Sequence, residues 1–180
     1  MASVDACEDA VDAHTLLGQL WDSPSELCIV PSLDADPDQP LIVCCGGSIG
    51  FARSALLSLF KTAWPALCEL KDDPCANALP PAAQKRDALF CVSRSVVLAC
   101  PDCCTAWNVR KQLVGSSDDA QVLTGELDFA ALVLGMHPKK GEVWLHRRWL
   151  LGRFLLSARP AVLPPSLDYE LELSVCLKAC

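Results

Sequence analysis

The sequence predicts an all-α protein in which antiparallel helical hairpins stack as a right-handed α–α superhelix, with a less regular N-terminal region. Three observations predict this fold. One apolar stripe recurs at helical spacing and consists of Leu127, Ala130, Ala131 and Leu134. Pro138 must end that helix, and the basic turn 139–141 leads into a second one. Trp107 and Trp144 lie 37 residues apart in similar segments, and helical-hairpin arrays repeat every 34 to 47 residues or so.

Charge is distributed unevenly along the chain. Residues 1–40 contain nine Asp or Glu and no Lys or Arg, so the formal net charge of −7 is a property of this segment. An acidic start lacks the basic region of a secretory signal, and no apolar run is long enough to span a membrane. The pI of about 4.8 and the absence of a basic patch argue against a nucleic-acid partner. We therefore expect a cytoplasmic protein.

Composition divides the chain into an acidic segment with a linker (1–40), a helical lead-in with loops (41–85) and a repeat region (86–180). Apolar residues at approximately helical spacing predict a helix over residues 4–21. Residues 23–40 are rich in Pro, Asp and Ser, which predicts the linker.

The lead-in opens on an apolar stretch, residues 41–45, that predicts a strand or a buried extended segment. The glycines of residues 46–50 follow, and a glycine loop after a strand can bind phosphate. This loop lacks the spacing and the lysine of a P-loop, so a flexible turn before a helix is the favoured interpretation. That helix is predicted over residues 51–64, with a core face of Leu56, Leu57, Leu59 and Phe60. A Pro-containing loop, residues 72–84, ends the lead-in.

The repeat region begins with a helical hairpin over residues 86–115. Asp87 can cap its first helix, which is predicted to run to about Ala99. The inward positions of that helix are Leu89, Val92 and Val96. The second helix is predicted over residues 105–114, with Gly115 closing it.

A connection over residues 116–124 leads to the second hairpin, residues 124–157, whose first helix is predicted from Glu126. Glu142 suits the start of its second helix because the helix dipole favours an anion there. Residues 166–180 predict a partial repeat, a helix without its partner. A repeat needs a neighbour to bury its apolar face, so we expect further repeats after residue 180.

The chain contains twelve cysteines, which could form disulfides or a metal site. Without a secretory signal, reduced thiols packed as small apolar groups are favoured. Cys100, Cys103 and Cys104 flank a Pro-Asp pair, and a zinc site there would need a second pair of ligands. The nearby candidates form no second Cys-x-x-Cys pair: Cys91, His137 and His146. We therefore predict a turn between two helices, with no metal and no disulfide.

Residues 138–151, PKKGEVWLHRRWLL, resemble the Pro-Lys-Asn-x-x-x-Trp-x-His-Arg-Arg repeat of protein prenyltransferase alpha subunits. A weaker copy, TAWNVRKQL at residues 105–113, also places a Trp two residues before a pair of bases. The resemblance is specific from about Arg86 to Leu151. It implies a superhelix of the kind found in prenyltransferase alpha subunits and tetratricopeptide repeats. The repeat-motif or interface residues that it identifies are Trp107, Arg110, Lys111, Trp144, His146, Arg147 and Arg148.

In the family resembled, the beta subunit carries the zinc ion, the isoprenoid pocket and the means of activating the thiolate. The alpha subunit wraps around it and lends a lysine to the diphosphate. The resemblance therefore implies a heterodimer with a prenyltransferase beta subunit that transfers a farnesyl or geranylgeranyl group to protein substrates with a C-terminal cysteine. It implies no cofactor in this chain and no activity of this chain alone. The matching lysine is Lys139, while Gly141 stands where known alpha subunits carry a tyrosine.

A non-enzymatic helical-repeat scaffold for protein interactions is the alternative function. On this alternative Lys139 is a solvated turn lysine and the two motif tryptophans only pack between helices. Arg147 and Arg148 could pair with acids of the next helix or face a partner subunit, since arginine suits bidentate pairing at interfaces. His146 is interpreted as a hydrogen-bonded structural histidine.

Overall fold

The computed structural model describes residues 17, 24–35, 42–72, 82–116 and 120–156. These residues are mostly helical, as predicted. The chain forms two compact units, residues 1–100 and 101–180, which are described separately below. The division falls between the two helices of the first predicted hairpin, and the superhelix stays a prediction.

Two predicted elements lie outside the described residues. One is the helix over residues 4–21, apart from Leu17, which is helical and 1% exposed. The other is the partial repeat over residues 166–180. No helix within the described ranges is long and apolar enough to cross a membrane.

The first unit contains a three-stranded sheet, so the all-α prediction is wrong for this part of the chain. Strand β1 (Glu26–Ile29) pairs in parallel with β3 (Ser48–Phe51), and β3 pairs antiparallel with β2 (Ile42–Cys45). Of the two alternatives for residues 41–45, the structure shows the strand. β1 and a 3₁₀-helix, Pro31–Ala35, occupy the predicted linker over residues 23–40. Short apolar stretches there become ordered because each buries a leucine.

The glycine loop is a two-residue hairpin turn between β2 and β3, not a flexible turn before a helix. Gly46 and Gly47 have φ angles of 58° and 85°. Positive φ at both central residues matches the right-handed twist of the flanking strands, and glycine adopts it without steric cost. Because β3 follows this turn directly, the loop does not lead into a helix N-terminus as a phosphate-binding loop would.

Helix α1 (Arg53–Asp72) continues past the predicted end at Trp64, with the exposed Pro65 inside it. Its N-terminus is capped from the 3₁₀-helix, where Asp34 accepts the backbone N–H groups of Arg53 at 2.9 Å and Ser54 at 3.0 Å. The side-chain hydroxyl and backbone N–H of Ser54, followed by the N–H of Arg53, lower the pKa of the Asp34 carboxyl. This long-range cap orders the start of the helix.

The predicted core face of α1 is partly wrong. Leu56 and Leu59 are buried, Phe60 is half-buried and Leu57 is 56% exposed. The buried set is Ala55, Leu56, Leu59, Ala63 and Leu67, and this face packs on helix α2 (Ala82–Ala99).

Helix α2 begins at Ala82, so Asp87 lies inside it and does not cap it. Its predicted end at Ala99 is confirmed. Of its three predicted inward residues, Val92 and Val96 are buried and Leu89 is half-buried.

The second unit contains three helices: α3 (Cys104–Gly115), α4 (Ala120–Met136) and α5 (Gly141–Leu156). α4 and α5 form a hairpin, and α3 packs against both. The three helices are confirmed, although α4 starts within the predicted connection, before Glu126. In its apolar stripe Leu127, Ala130 and Leu134 are buried, but Ala131 is exposed because the buried face is centred one position earlier, on Leu123, Ala130 and Val133.

Candidate functional site

Two turns that lie 37 residues apart are closed by the same hydrogen bonds. The indole N–H of Trp107 donates to the carbonyl of Pro101 at 2.8 Å, and that of Trp144 donates to the carbonyl of Pro138 at 3.0 Å. In both turns the backbone N–H of the tryptophan also donates to the carbonyl four residues earlier, at 3.2 Å and 3.5 Å. The sequence repeat is therefore a structural repeat as well.

The two tryptophans differ in depth. Their equivalent positions in the repeat predict that both are largely buried. Trp107 is 1% exposed, whereas Trp144 is half-buried, so the prediction holds for Trp107 only. Beside Trp144, Lys139 is exposed. The ammonium of Lys140 donates to the carboxylate of Asp102 at 2.5 Å and thereby connects the two turns.

Behind the turns lies a buried group of three charged or polar side chains, one from each helix. The Nε and Nη2 groups of Arg110 on α3 donate to the two carboxylate oxygens of Glu126 on α4, at 2.7 and 2.5 Å. The Nε2 atom of His146 on α5 lies 2.8 Å from Oε1 of the same carboxylate. Side-chain exposure is 3% for the arginine and the glutamate and 0% for the histidine. The carboxylate therefore joins all three helices of the unit.

The electrostatics of this group follow from burial and from the arginine. Burial raises the pKa of Glu126, but the charge of Arg110 and the hydrogen bonds from His146 and Arg110 outweigh burial and lower that pKa to about 2. Burial lowers the pKa of His146, against the opposing effect of the Glu126 carboxylate. At neutral pH a neutral His146 thus donates its Nε2–H to an ionised Glu126, and the three side chains together carry no net charge.

Aromatic rings enclose the group. The ring of His146 lies 4.5 Å from that of Trp107 and 5.6 Å from that of Trp149, measured between centroids. The guanidinium of Arg110 lies 4.1 Å above the centre of the Phe129 ring. These rings help to bury the three side chains, and Phe129 adds cation–π attraction to the ion pair. The arrangement is suited to holding three helices together.

The remaining motif residues are placed unevenly. Arg147 is buried and its Nη1 donates to the carbonyl of Leu127 at 3.1 Å. Arg148 is exposed and Lys111 is half-buried. The acids of the next predicted helix lie outside the described residues, so their pairing with Arg147 or Arg148 stays a prediction. Three of the motif residues, Arg110, His146 and Arg147, thus bond within this unit.

Sequence reasoning missed the role of Glu126. The signal was present, because this acid stands on the same helical face as Leu123, Leu127 and Ala130. An ionised side chain on an apolar face must find a partner when it is buried. Arg110 and His146 were already motif residues, and the missing step was to pair them with the acid on the helix between them.

No disulfide joins the cysteines in the described part of the chain, which include Cys100, Cys103 and Cys104. Within the same ranges no cluster of three or more His, Cys, Asp or Glu is placed to hold a metal ion. The exposed cations of the second unit include Lys139 and Arg148. A cation at an ordered turn can bind a phosphate or carboxylate group.

Comparison with known proteins agrees with this repeat. A sequence profile described as "Protein prenyltransferase alpha subunit repeat" matches residues 123–154. Protein prenyltransferase alpha subunit repeat-containing protein 1 of Danio rerio is 41% identical over 78 residues, which are 42% of this chain and 17% of that protein. Protein prenyltransferase alpha subunit repeat-containing protein 1-B of Xenopus laevis is 44% identical over 68 residues, 38% of this chain and 15% of that protein.

A more distant similarity covers more of the chain. Geranylgeranyl transferase type-2 subunit alpha of Homo sapiens is 24% identical over 133 residues, 70% of this chain and 20% of that protein. The chain thus spans a fifth or less of the length of these relatives. Residues 123–154, which include most of α4, the turn 137–140 and most of α5, match the protein prenyltransferase alpha subunit repeat, and the resemblance inferred from the Trp-x-His-Arg-Arg motif is confirmed.

Proposed function

We propose that the chain is an alpha-subunit-like component of a cytoplasmic protein prenyltransferase. It pairs with a catalytic beta subunit, which supplies the zinc ion and the isoprenoid pocket, and the pair transfers a farnesyl or geranylgeranyl group to protein C-terminal cysteines. The similarity to geranylgeranyl transferase type-2 subunit alpha supports this proposal. The observation that carries it is the turn 137–140, which lies in the matched repeat and holds Lys139 exposed.

Lys139 is the residue of this turn that we assign to the diphosphate. The bond from the Trp144 indole to the Pro138 carbonyl fixes the backbone immediately before it. Lys140 is engaged with Asp102, whereas Lys139 is directed by the turn toward solvent. Negative charge develops on the diphosphate as the carbon–oxygen bond breaks, so a positioned ammonium would stabilise the transition state more than the bound substrate.

The alternative, a helical-repeat scaffold without a catalytic partner, has its own supporting observation. Arg110, His146 and Arg147 bond inside the second unit. Side chains used in this way maintain the packing of a repeat and need no enzymatic partner to explain them.

The test combines association with a rate measurement. The chain is co-expressed with a prenyltransferase beta subunit, the pair is isolated by pulldown, and transfer of a prenyl group to a cysteine-ended peptide is followed in a single turnover. The chain alone is expected to be inactive. In the pair, Lys139→Ala should lower the single-turnover rate about tenfold or more, without a matching loss of peptide affinity.

The neighbouring substitution Lys140→Ala is the matched control, because it removes a lysine from the same turn but not the one assigned to the diphosphate. Failure to associate with any beta subunit would leave the scaffold function. Association with a rate that Lys139→Ala does not change would remove the role assigned to Lys139 while keeping the subunit role.

A further inference from the structure

The imidazole of His146 uses one nitrogen and leaves the other without a partner. Its Nε2 atom bonds to Glu126, while its Nδ1 atom is buried and has no hydrogen-bond partner. A neutral imidazole tolerates the missing partner, because its Nδ1 is then an unprotonated acceptor. Burying that acceptor loses less hydration than burying a protonated, charged ring would. Buried polar atoms without a partner are rare in folded proteins, and each calls for an explanation.

We propose that His146 makes the packing of α5 against α3 and α4 sensitive to mild acidification. Protonation would convert Nδ1 into a donor at a place where it has no acceptor. The imidazole is 0% exposed and the rings of Trp107 and Trp149 pack against it, so a cation formed there would lose its hydration. The cation is better solvated when α5 separates from its neighbours, and acid therefore favours separation.

Burial opposes the cation, and the charges around the ring offset that effect only in part. From α4, the carboxylate of Glu126 favours it, but that carboxylate already forms two hydrogen bonds with Arg110. From α3, both Arg110 and Lys111 repel it. On α5 itself, the sequence neighbours Arg147 and Arg148 are also cationic. With the histidine neutral, the charges of the buried carboxylate and guanidinium balance. A proton on His146 gives the buried group a net positive charge, which Glu126 offsets only in part because it is already paired with Arg110.

The direction of the pH effect follows from linkage. Burial holds the pKa of His146 below its ordinary value of 6.5 in the folded chain. The unfolded chain therefore binds one more proton than the folded chain when the pH is below 6.5 and above the folded-state pKa. Stability is complete above pH 6.5 and falls as the pH drops through that window. One proton changes the unfolding equilibrium constant by at most about tenfold per pH unit.

The experiment measures unfolding of the full chain by urea between pH 5 and 8, together with hydrogen exchange of the amides of α5. In the unaltered chain the unfolding constant and the exchange of α5 should rise by up to about tenfold per pH unit below pH 6.5. His146→Gln keeps an N–H donor for Glu126 but cannot titrate, so it should flatten both pH profiles. His137→Gln removes a second titratable imidazole, in the turn before α5, whose Nε2 atom is also buried. Profiles that stay steep in this variant would assign the pH dependence to His146.

A His146→Gln profile as steep as that of the unaltered chain would overturn the proposal. If His146→Gln does not fold, the imidazole of the unaltered chain is titrated by nuclear magnetic resonance. A midpoint below 6.5 for His146 supports the proposal, and a midpoint at or above 6.5 refutes it. None of these outcomes depends on prenyl transfer, so the inference and the proposed function can fail separately.

Discussion

The turns before α3 and α5 close through the same indole-to-proline hydrogen bond, yet the motif arginines that follow them have different acceptors. After Trp107, Arg110 bonds to a carboxylate, that of Glu126. After Trp144, the equivalent Arg147 bonds to a backbone carbonyl, that of Leu127. The contrast shows that the repeat specifies the turn and the position of the cation, but not the chemistry of the group that receives it.

The largest effect is expected from removing Glu126, the carboxylate that accepts from Arg110. Glu126→Ala would leave Arg110 buried without its counter-charge, which should cost about 3 to 5 kcal/mol of unfolding free energy. Arg147→Met removes bonds of a cation to a neutral carbonyl and should cost less, about 1 to 3 kcal/mol. Urea unfolding at pH 7.5, followed by tryptophan fluorescence, measures both.

Two further variants show whether the loss at Glu126 comes from the stranded charge. Glu142→Ala removes a partly exposed acid from the first turn of α5 and should cost no more than about 1 kcal/mol. Replacing Glu126 and Arg110 together by Leu and Met should recover part of the loss, because the buried charge is then absent although the Nε2–H of His146 still lacks its acceptor. If Glu126→Ala and Arg147→Met lower the unfolding free energy equally, the charge of the acceptor does not explain a difference in stability between the two repeats.

The two tryptophans provide the next comparison. Trp107→Ala should cost about 3 to 5 kcal/mol, as is usual for a fully buried aromatic side chain. Trp144→Ala removes a similar indole hydrogen bond but less buried area, and should cost about 1 to 3 kcal/mol. Thermal unfolding of the two variants at one pH measures the difference. A larger loss of stability for Trp144→Ala than for Trp107→Ala would show that burial does not decide which tryptophan contributes more.

The helices of the second unit were predictable because each carries its own signals. The apolar stripe predicts α4 and Pro138 predicts its end, and the repeated Trp segment predicts α3 and α5. The sheet of the first unit was not predictable, because β1 is ordered by a strand about twenty residues away. Gly50 shows why: a Cβ atom there would lie 2.8 Å from a methyl of Val30 and 2.9 Å from a methyl of Val43. The need for glycine at that position arises only after the strands have paired.

The residues of the candidate site also divide into those that the sequence could predict and those that it could not. Arg110 and Arg147 were predictable because both stand three residues after a tryptophan, and His146 because it belongs to the Trp-x-His-Arg-Arg motif. Their partners were not, since a hydrogen bond between residues 16 or 20 positions apart depends on how the helices pack. Glu126 is the exception that sequence could have supplied, because an acid on an apolar helical face implies a buried cation nearby.

The smallest effect is expected at the ion pair between Lys140 and Asp102, which connects the two turns. The ammonium of Lys140 lies 2.5 Å from the carboxylate of Asp102, but the two side chains are 40% and 51% exposed. Exposed pairs contribute about 0 to 1 kcal/mol, and salt screens them. A double-mutant cycle with Lys140→Ala and Asp102→Ala, measured by urea unfolding at low and high salt, gives the coupling energy. A coupling above about 1 kcal/mol that resists salt would show that the turns stabilise each other directly. A small, salt-sensitive coupling would show that each turn is held mainly by its own tryptophan and proline, with Glu126 connecting the repeats from inside.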